Sequence, residues 1–390
     1  HGDVQPVDPT KWKKSPFELD ATSEPGRLLA RGSEDDKGPI ATAMYAMKAI
    51  KERKVALSKH LELYVYMGEE SDWAPLIEFL KTHEPPQMNI TLDAEYPVVT
   101  AEKGWCAIEL TVPKSPAAAG SAQIGEFAGG FFGSQIPEDA HATVLGADAA
   151  LEAQIRERAG KQKGMHYQFG RQDGALSITA RGVSAHSSKP EDGVNAIAML
   201  ADALKVQRWP DTGAGPMVNF LNELIGTNLY GEQFGKIAYR DSFMGPLSVS
   251  PTVIKSGEKG WSLNINMRRP QGKSGEQLKE EINAALGEWQ AKHVPLTDVK
   301  LTITDPWVQK DAPQVPALLS VFSYFTGIKN AQPISIGGGT NSRLFPHAVS
   351  FGPAMPHMVY TGHSEHEFIS VKQLMLNLQM YTAVMVELAK

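Results

Sequence analysis

The sequence predicts an α/β fold: a domain with a mixed, mostly parallel sheet flanked by helices, interrupted by an inserted α+β domain. Three observations carry this. Over the first hundred residues, short β-rich runs alternate with helical stretches, the pattern that builds a parallel sheet. From about residue 103, strands of alternating apolar and polar residues take over, as in half-solvated antiparallel sheets. After about residue 305 the first style returns. Residues 1–102 and 306–390 therefore read as two parts of one domain, and 103–305 as the insertion. The chain's 390 residues suffice for two cores, because a single core stops growing at roughly 250 to 300 residues.

Taken in order, "PIATAMYAMKAIKERK" reads as a helix with Pro39 in its first turn and basic residues at its end. The run "HLELYVYM" (60–67) leads into "GEES", and "MNITL" (88–92) leads into "DAEYP". Both read as strands ending in acids, and in parallel sheets ligands sit beyond the carboxyl ends of strands. In the insertion, "WCAIELTVP" is a strand followed by an Ala/Gly-rich stretch with little periodicity. Then come the strand "ALSITARG", a helix over 193–204, the strand "SLNINMR" and a helix over 275–292, with the insertion ending near "LTITDPW". The first domain resumes with "VPALLSVFSYFTG" and "SIGGGTNSR". In the last helix, Ser370 and Gln373 form a capping box before the stripe Leu374, Leu378, Tyr381 and Met385.

Composition narrows the function classes. With 42% hydrophobic and 21% charged residues, the chain is that of a globular protein. A formal charge of −6 favours neither nucleic acid nor anionic membrane as a partner, and no apolar run approaches the roughly 20 residues that span a bilayer. Cys106 is the only cysteine, which excludes an internal disulfide framework and a cysteine-rich zinc site. Any metal must be held by histidine and carboxylate.

Five stretches place acids and histidines where strands end: "HGDVQP", "RGSEDDKGP", "GEES", "DAEYP" and "TGHSEHEF". In an extended chain His1 and Asp3 share a face, so the aspartate can hold the far imidazole nitrogen and fix the tautomer that binds metal. A surface pair is the alternative. Glu69 and Glu70 point opposite ways after a strand, letting one bind metal while the other handles a proton; a solvated charge cluster is the alternative. Asp93 could equally cap a helix or turn.

Together and in this order, the stretches resemble the two-zinc metallopeptidase family that contains carboxypeptidase G, succinyl-diaminopimelate desuccinylase, aminoacylase, carnosinase and the bacterial dipeptidase V. The resemblance runs nearly the whole chain. It implies that Asp35 bridges two divalent ions, most simply Zn2+, with Mn2+ or Co2+ also suited to the ligands. His1 and Asp93 would hold one ion, and Glu70 and His363 the other. Glu69 would be the general base acting on a metal-bridging water, Asp3 the partner of His1, and the Asp35–Asp36 bond cis. The opening histidine is then expected to be an internal ligand, with a strand and a helical segment belonging ahead of it. A literal N-terminal histidine clasping copper is the alternative, and it needs further histidines suitably placed.

The resemblance also makes the insertion a lid domain. In "GVSAHSSKPEDGVNAI", His186 would reach over the metals to hold an oxyanion; otherwise it is a surface histidine. In "SLNINMRRP", Arg268 lies on the polar face of its strand and is similar to the family's substrate-binding arginine, with a solvent-facing arginine the alternative. In "SIGGGTNSR", Gly338, Gly339 and Thr340, helped by Arg343, would receive a substrate carboxylate. Ser134 stands where relatives often carry asparagine, a departure from the family's oxyanion contact.

Within this resemblance, an aspartate at position 93, as in carnosinase and dipeptidase V, and an insertion of about 200 residues, similar to the dipeptidase type, imply a dipeptidase acting on small peptides. The alternatives are a carboxypeptidase or N-acyl amino-acid deacylase with the same two metals, or a peptide- or metal-binding homologue without activity. Both monomer and homodimer fit this reading, and the compartment is open between cytoplasmic and periplasmic or secreted.

Overall fold

The computed structural model describes residues 1–115 and 121–390, so part of the Ala/Gly-rich stretch lies outside the described residues. The chain divides into two compact units: His1–Glu102 with Trp307–Lys390, and Lys103–Pro306.

In the first unit, the helix Lys37–Glu52 buries Pro39, Thr42, Ala43, Ala46 and Ile50, and it packs against the final helix Val371–Ala389. Its small residues allow that close approach. The final helix is capped as its sequence suggests, Ser370 Oγ accepting from Gln373 N at 3.0 Å. Its buried line runs through Asn377, Met380, Tyr381 and Val384, while Leu374, Leu378 and Met385 are only half-buried. The expected stripe is thus displaced toward Asn377. That residue is drawn inward because its Oδ1 accepts from Tyr96 Oη at 2.9 Å and from Gln373 Nε2 at 2.7 Å. Tyr96, Phe322 and Phe351 fill the space beside these helices.

The sheet of this unit is mixed. Val349–Ser350 runs parallel to Ile90–Thr91, and Ile334–Ile336 parallel to Val99–Glu102. Val349–Ser350 and Trp307–Val308 each meet Val99–Glu102 antiparallel. The run at 60–67, expected to be a strand, joins no ladder. Its one backbone hydrogen bond among the described residues is from Gly2 N to Tyr66 O, 2.9 Å. Aromatic and β-branched side chains keep such a run extended, but a strand also needs a neighbouring edge. An apolar cavity of about 440 Å3 lies against it, lined in part by Leu61, Leu63, Ile90, Leu92 and Leu388, with His1 and Asp36 on its wall.

The second unit is built on an eight-stranded antiparallel sheet in the order Thr297–Ile303, Gly104–Pro113, Gly260–Arg269, Ser248–Ser256, Gln123–Gly129, Asp139–Leu145, Ala175–Arg181, His166–Gln172. Ile108, Phe127, Ile178, Leu200 and Trp289 lie in its core. The helix read over 193–204 spans Ala196–Ala203. Asn195 caps it, accepting from Ala198 N at 3.1 Å, while Val194 bridges to Val183 instead of joining the helix. Gly104 is required where two strands come close: a β-carbon there would meet Thr304 O at 2.2 Å.

Candidate active site

Two loops of the first unit are stitched together by buried carboxylates. Glu367 Oε1 accepts from the backbone N–H groups of Glu34 and Asp35 at 2.9 and 3.0 Å. Its Oε2 accepts from Gly32 N at 3.0 Å and Arg31 Nη1 at 2.8 Å. Glu34 answers in the other direction, accepting from Thr361 N at 2.7 Å and Thr361 Oγ1 at 2.6 Å. The peptide bond between Asp35 and Asp36 is cis, and His363 sits at φ 65°. The left-handed region costs a residue with a β-carbon about 1–2 kcal/mol, which the stitched loops absorb. They bring Asp35 and His363 together.

Asp3 positions the remaining acids. Its two carboxylate oxygens accept from Glu69 N at 3.2 Å and Glu70 N at 3.1 Å, fixing both glutamates at the start of their loop. The partner of His1 Nδ1 is the Asp3 carbonyl, at 3.0 Å; the Asp3 carboxylate lies 3.4 Å away. The expected histidine–aspartate pairing is thus made through the backbone, because the side chain is committed to the two amides. Gln5, on the same face of the extended chain, donates to Glu70 Oε2 at 2.7 Å.

The acids and histidines converge. His1 Nε2 lies 3.0 Å from Asp35 Oδ1 and 3.7 Å from Asp93 Oδ2. His363 Nε2 lies 3.1 Å from Asp35 Oδ2 and 3.1 Å from Glu70 Oε1. Each oxygen of Asp35 therefore faces a different imidazole. Single ligand atoms of His1, Asp35 and Glu70 lie within 4.8 Å of one another, as do those of His1, Glu69 and Asp93. Tyr360, a residue the sequence did not single out, donates to Asp35 Oδ2 at 2.7 Å. His1 N donates to Asp36 Oδ2 at 2.9 Å, and Trp73 Nε1 to Glu69 O at 2.8 Å.

Crowding perturbs these groups strongly. Burial, reinforced by the charge of Asp93, holds the Glu69 carboxyl well above its usual range. Burial also raises Asp93, to about 6, against the pull of His1. For His363, burial opposes protonation, but Glu70 and Asp35 outweigh it and raise the imidazole to about 10. Burial likewise pushes Asp35 upward, and the two imidazoles overcome it so that its carboxyl ionises well below the usual range. Glu69 Oε1 and Asp36 Oδ1 are buried without a hydrogen-bond partner among the described residues. Buried carboxylates at this density call for protons or cations. The nitrogen and oxygen donors match divalent ions such as zinc or manganese, so the residues present fit a metal centre.

The glycine-rich loop turns partly inward. Thr340 donates to Glu102 Oε1 from N at 3.1 Å and from Oγ1 at 2.6 Å, and Arg343 Nε donates to Glu102 Oε2 at 2.7 Å. Gly338 is half-buried and Gly339 exposed, so these are the outward positions of the loop. Glu102 escaped the sequence reading, though a glutamate ending a strand before an inserted domain is a signal that could have drawn notice.

In the second unit, His186 belongs to the two-residue strand Ala185–His186, paired with Gln135–Ile136. Ser134, the departure noted above, offers its carbonyl to Ser187 N at 2.9 Å. Arg268 is buried, against the alternative of a solvent-facing arginine. Its Nε donates to Asn266 Oδ1 at 3.1 Å and its Nη2 to Ser187 Oγ at 2.8 Å. Asn266 is held in turn by donating to Gly133 O at 3.0 Å.

A mixed α/β unit with a buried cluster of imidazoles and carboxylates on its loops is the architecture of a metal-dependent hydrolase. The chain belongs to Peptidase family M20/M25/M40, whose description matches residues 1–387. It is a hydrolase acting on peptide bonds, and membership implies the use of divalent metal. It is similar to the Beta-Ala-Xaa dipeptidase of Lactobacillus delbrueckii, 31% identical over 395 residues, which cover 100% of this chain and 81% of that protein. It is also similar to the putative dipeptidase YtjP of Bacillus subtilis, 30% identical over 402 residues, covering 100% of this chain and 82% of that protein. Among solved structures, human carnosine dipeptidase 1 shares the fold at a TM-score of 0.54 and 15% identity, over 99% of this chain and 78% of that one. The Saccharomyces cerevisiae dipeptidase Dug1p does so at 0.52 and 14%, over 98% and 77%.

Proposed function

We propose that the protein hydrolyses the peptide bond of dipeptides or very short peptides at a centre of two divalent cations, zinc in the first instance. The observation that carries this reading is Asp35, whose two oxygens are divided between His1 Nε2 at 3.0 Å and His363 Nε2 at 3.1 Å. A carboxylate so placed is suited to bridge two ions, with Asp93 completing one ligand set and Glu70 the other. Such ions, when bound, supply the Lewis acidity that polarises the scissile carbonyl and lowers the pKa of a water. Glu69 takes a proton from the attacking water on its carboxylate and returns it to the leaving amine. Asp3 keeps Glu69 and Glu70 in place through their amides. His186 is suited to donate to a developing oxyanion; Arg268 in the inserted unit, and separately the loop at Gly338 and Gly339 in the first, each offer donors suited to a carboxylate. The relatives named as dipeptidases support the choice of substrate.

Metal analysis combined with a panel of free and N-acylated dipeptides tests this. About two equivalents of metal and turnover of the free dipeptides are expected. Hydrolysis confined to the acylated series would make the protein a deacylase instead.

A further inference from the structure

We infer that Ser188 is a positioning residue that fixes the protonation pattern of the His186 ring, holding the proton on Nε2 and the lone pair on Nδ1. Two contacts from one residue make the case. The backbone N–H of Ser188 donates to His186 Nδ1 at 3.1 Å, and Ser188 Oγ lies 2.6 Å from the same nitrogen. A hydroxyl can turn to donate or accept, but a backbone N–H can only donate. A proton on Nδ1 would stand against that N–H, so Nδ1 is the acceptor and the hydroxyl donates to the same lone pair. The neutral imidazole then carries its single proton on Nε2.

The local fold holds this geometry. His186 is anchored by pairing with Gln135, Ser187 N donates to Ser134 O at 2.9 Å, and Lys189 N donates to His186 O at 3.0 Å. The backbone N–H of Ser188 is thereby kept against Nδ1, and the buried Ser187 is clamped through its hydroxyl by Arg268 Nη2 at 2.8 Å.

The consequence is chemical. A ring protonated on Nε2 can give a hydrogen bond from that nitrogen but can neither take a proton there nor ligate a metal through it. His186 is therefore a donor rather than a base or a ligand. This rests on the reading that His186 serves the peptidase reaction, and the experiment separates the two claims.

The readout is the imidazole 15N spectrum of the full-length, metal-loaded protein labelled at histidine, with the His186 signals assigned by their loss in His186→Gln. The expected pattern is a pyrrole-type Nε2 and a pyridine-type Nδ1; the reverse pattern overturns the inference. Ser188→Ala keeps the backbone N–H and should therefore keep the pyridine-type Nδ1, while loss of the hydroxyl's hydrogen bond loosens the ring and lowers kcat by about tenfold, the worth of one hydrogen bond, with KM within about twofold; Ser188→Pro, which removes the N–H, should admit the second tautomer. Ser188→Thr should restore kcat. An unchanged kcat in Ser188→Ala together with an unchanged spectrum in folded Ser188→Pro would remove Ser188 from the role. His186→Gln, which keeps a donor, should stay within about tenfold of wild-type kcat, whereas His186→Ala should lose about 10²–10³-fold, as for a lost oxyanion donor. A glutamine no better than alanine overturns the donor assignment. Full turnover in His186→Ala would overturn the participation of His186 and leave the tautomer to be judged by the spectrum alone.

Discussion

Replacing Glu69 by alanine is expected to lower kcat by about 10²–10⁴-fold, the usual worth of a general base, while metal content measured on the purified variant stays at the wild-type level. Loss of bound metal together with activity would turn Glu69 into a ligand, for which its closeness to His1 and Asp93 provides the geometry. Residues of this cluster were legible in the sequence where type and spacing reinforced one another. His1, Asp3 and Gln5 occupy alternate positions of one extended run, and period two alone places them on one face. The third of them, Gln5, went unassigned although the same rule covers it. Tyr360 carried no such signal. It reaches Asp35 because the loop at 360–367 is folded back by Glu34 and Glu367, contacts that join positions more than 300 residues apart.

At the scale of elements, local propensity and pairing separate cleanly. The run at 60–67 has the composition of a strand, yet between 60 and 65 no backbone-to-backbone hydrogen bond is made among the described residues. Its amides are expected to exchange with solvent deuterium orders of magnitude faster than those of Ile108 or Ile265, which sit within the ladders of the eight-stranded sheet. Mass spectrometry of peptides covering the two regions would show this, and equal protection would count against an unpaired run. The final helix teaches the complementary lesson. Apolar periodicity located it and Ser370 began it, but the buried line was shifted by a polar residue, Asn377, whose partners Tyr96 and Gln373 lie outside any apolar pattern. Reading hydrophobic spacing alone cannot find a stripe that turns on a hydrogen bond.

At the scale of the whole molecule, the first unit gathers several of its buried acids, Glu34, Asp35, Asp36, Glu69 and Glu367, around one cluster. Divalent cations that bind this folded arrangement and not the unfolded chain stabilise it by mass action, about 2.7 kcal/mol when free metal is a hundredfold above Kd. Treatment with a chelator is therefore expected to lower the melting temperature and abolish turnover, with zinc restoring both; a melting curve indifferent to chelator would argue against a metal centre in this cluster. The chain divides at Glu102/Lys103 and Pro306/Trp307, close to where the periodicity of the sequence changes. The course of the mixed sheet was not readable, since its pairs join segments as distant as Ile90 and Val349, and nothing in either segment names the other.

Glu102 and Trp307, the last residue of the first unit before the insertion and the first after it, are register partners in adjacent antiparallel strands. The chain thus leaves and re-enters the first unit at one paired point. Tension carried along the first unit is passed across that strand pair without entering the insertion. A force that enters through the first unit is therefore expected to part the strands at Glu102 and Trp307 before it loads Lys103–Pro306.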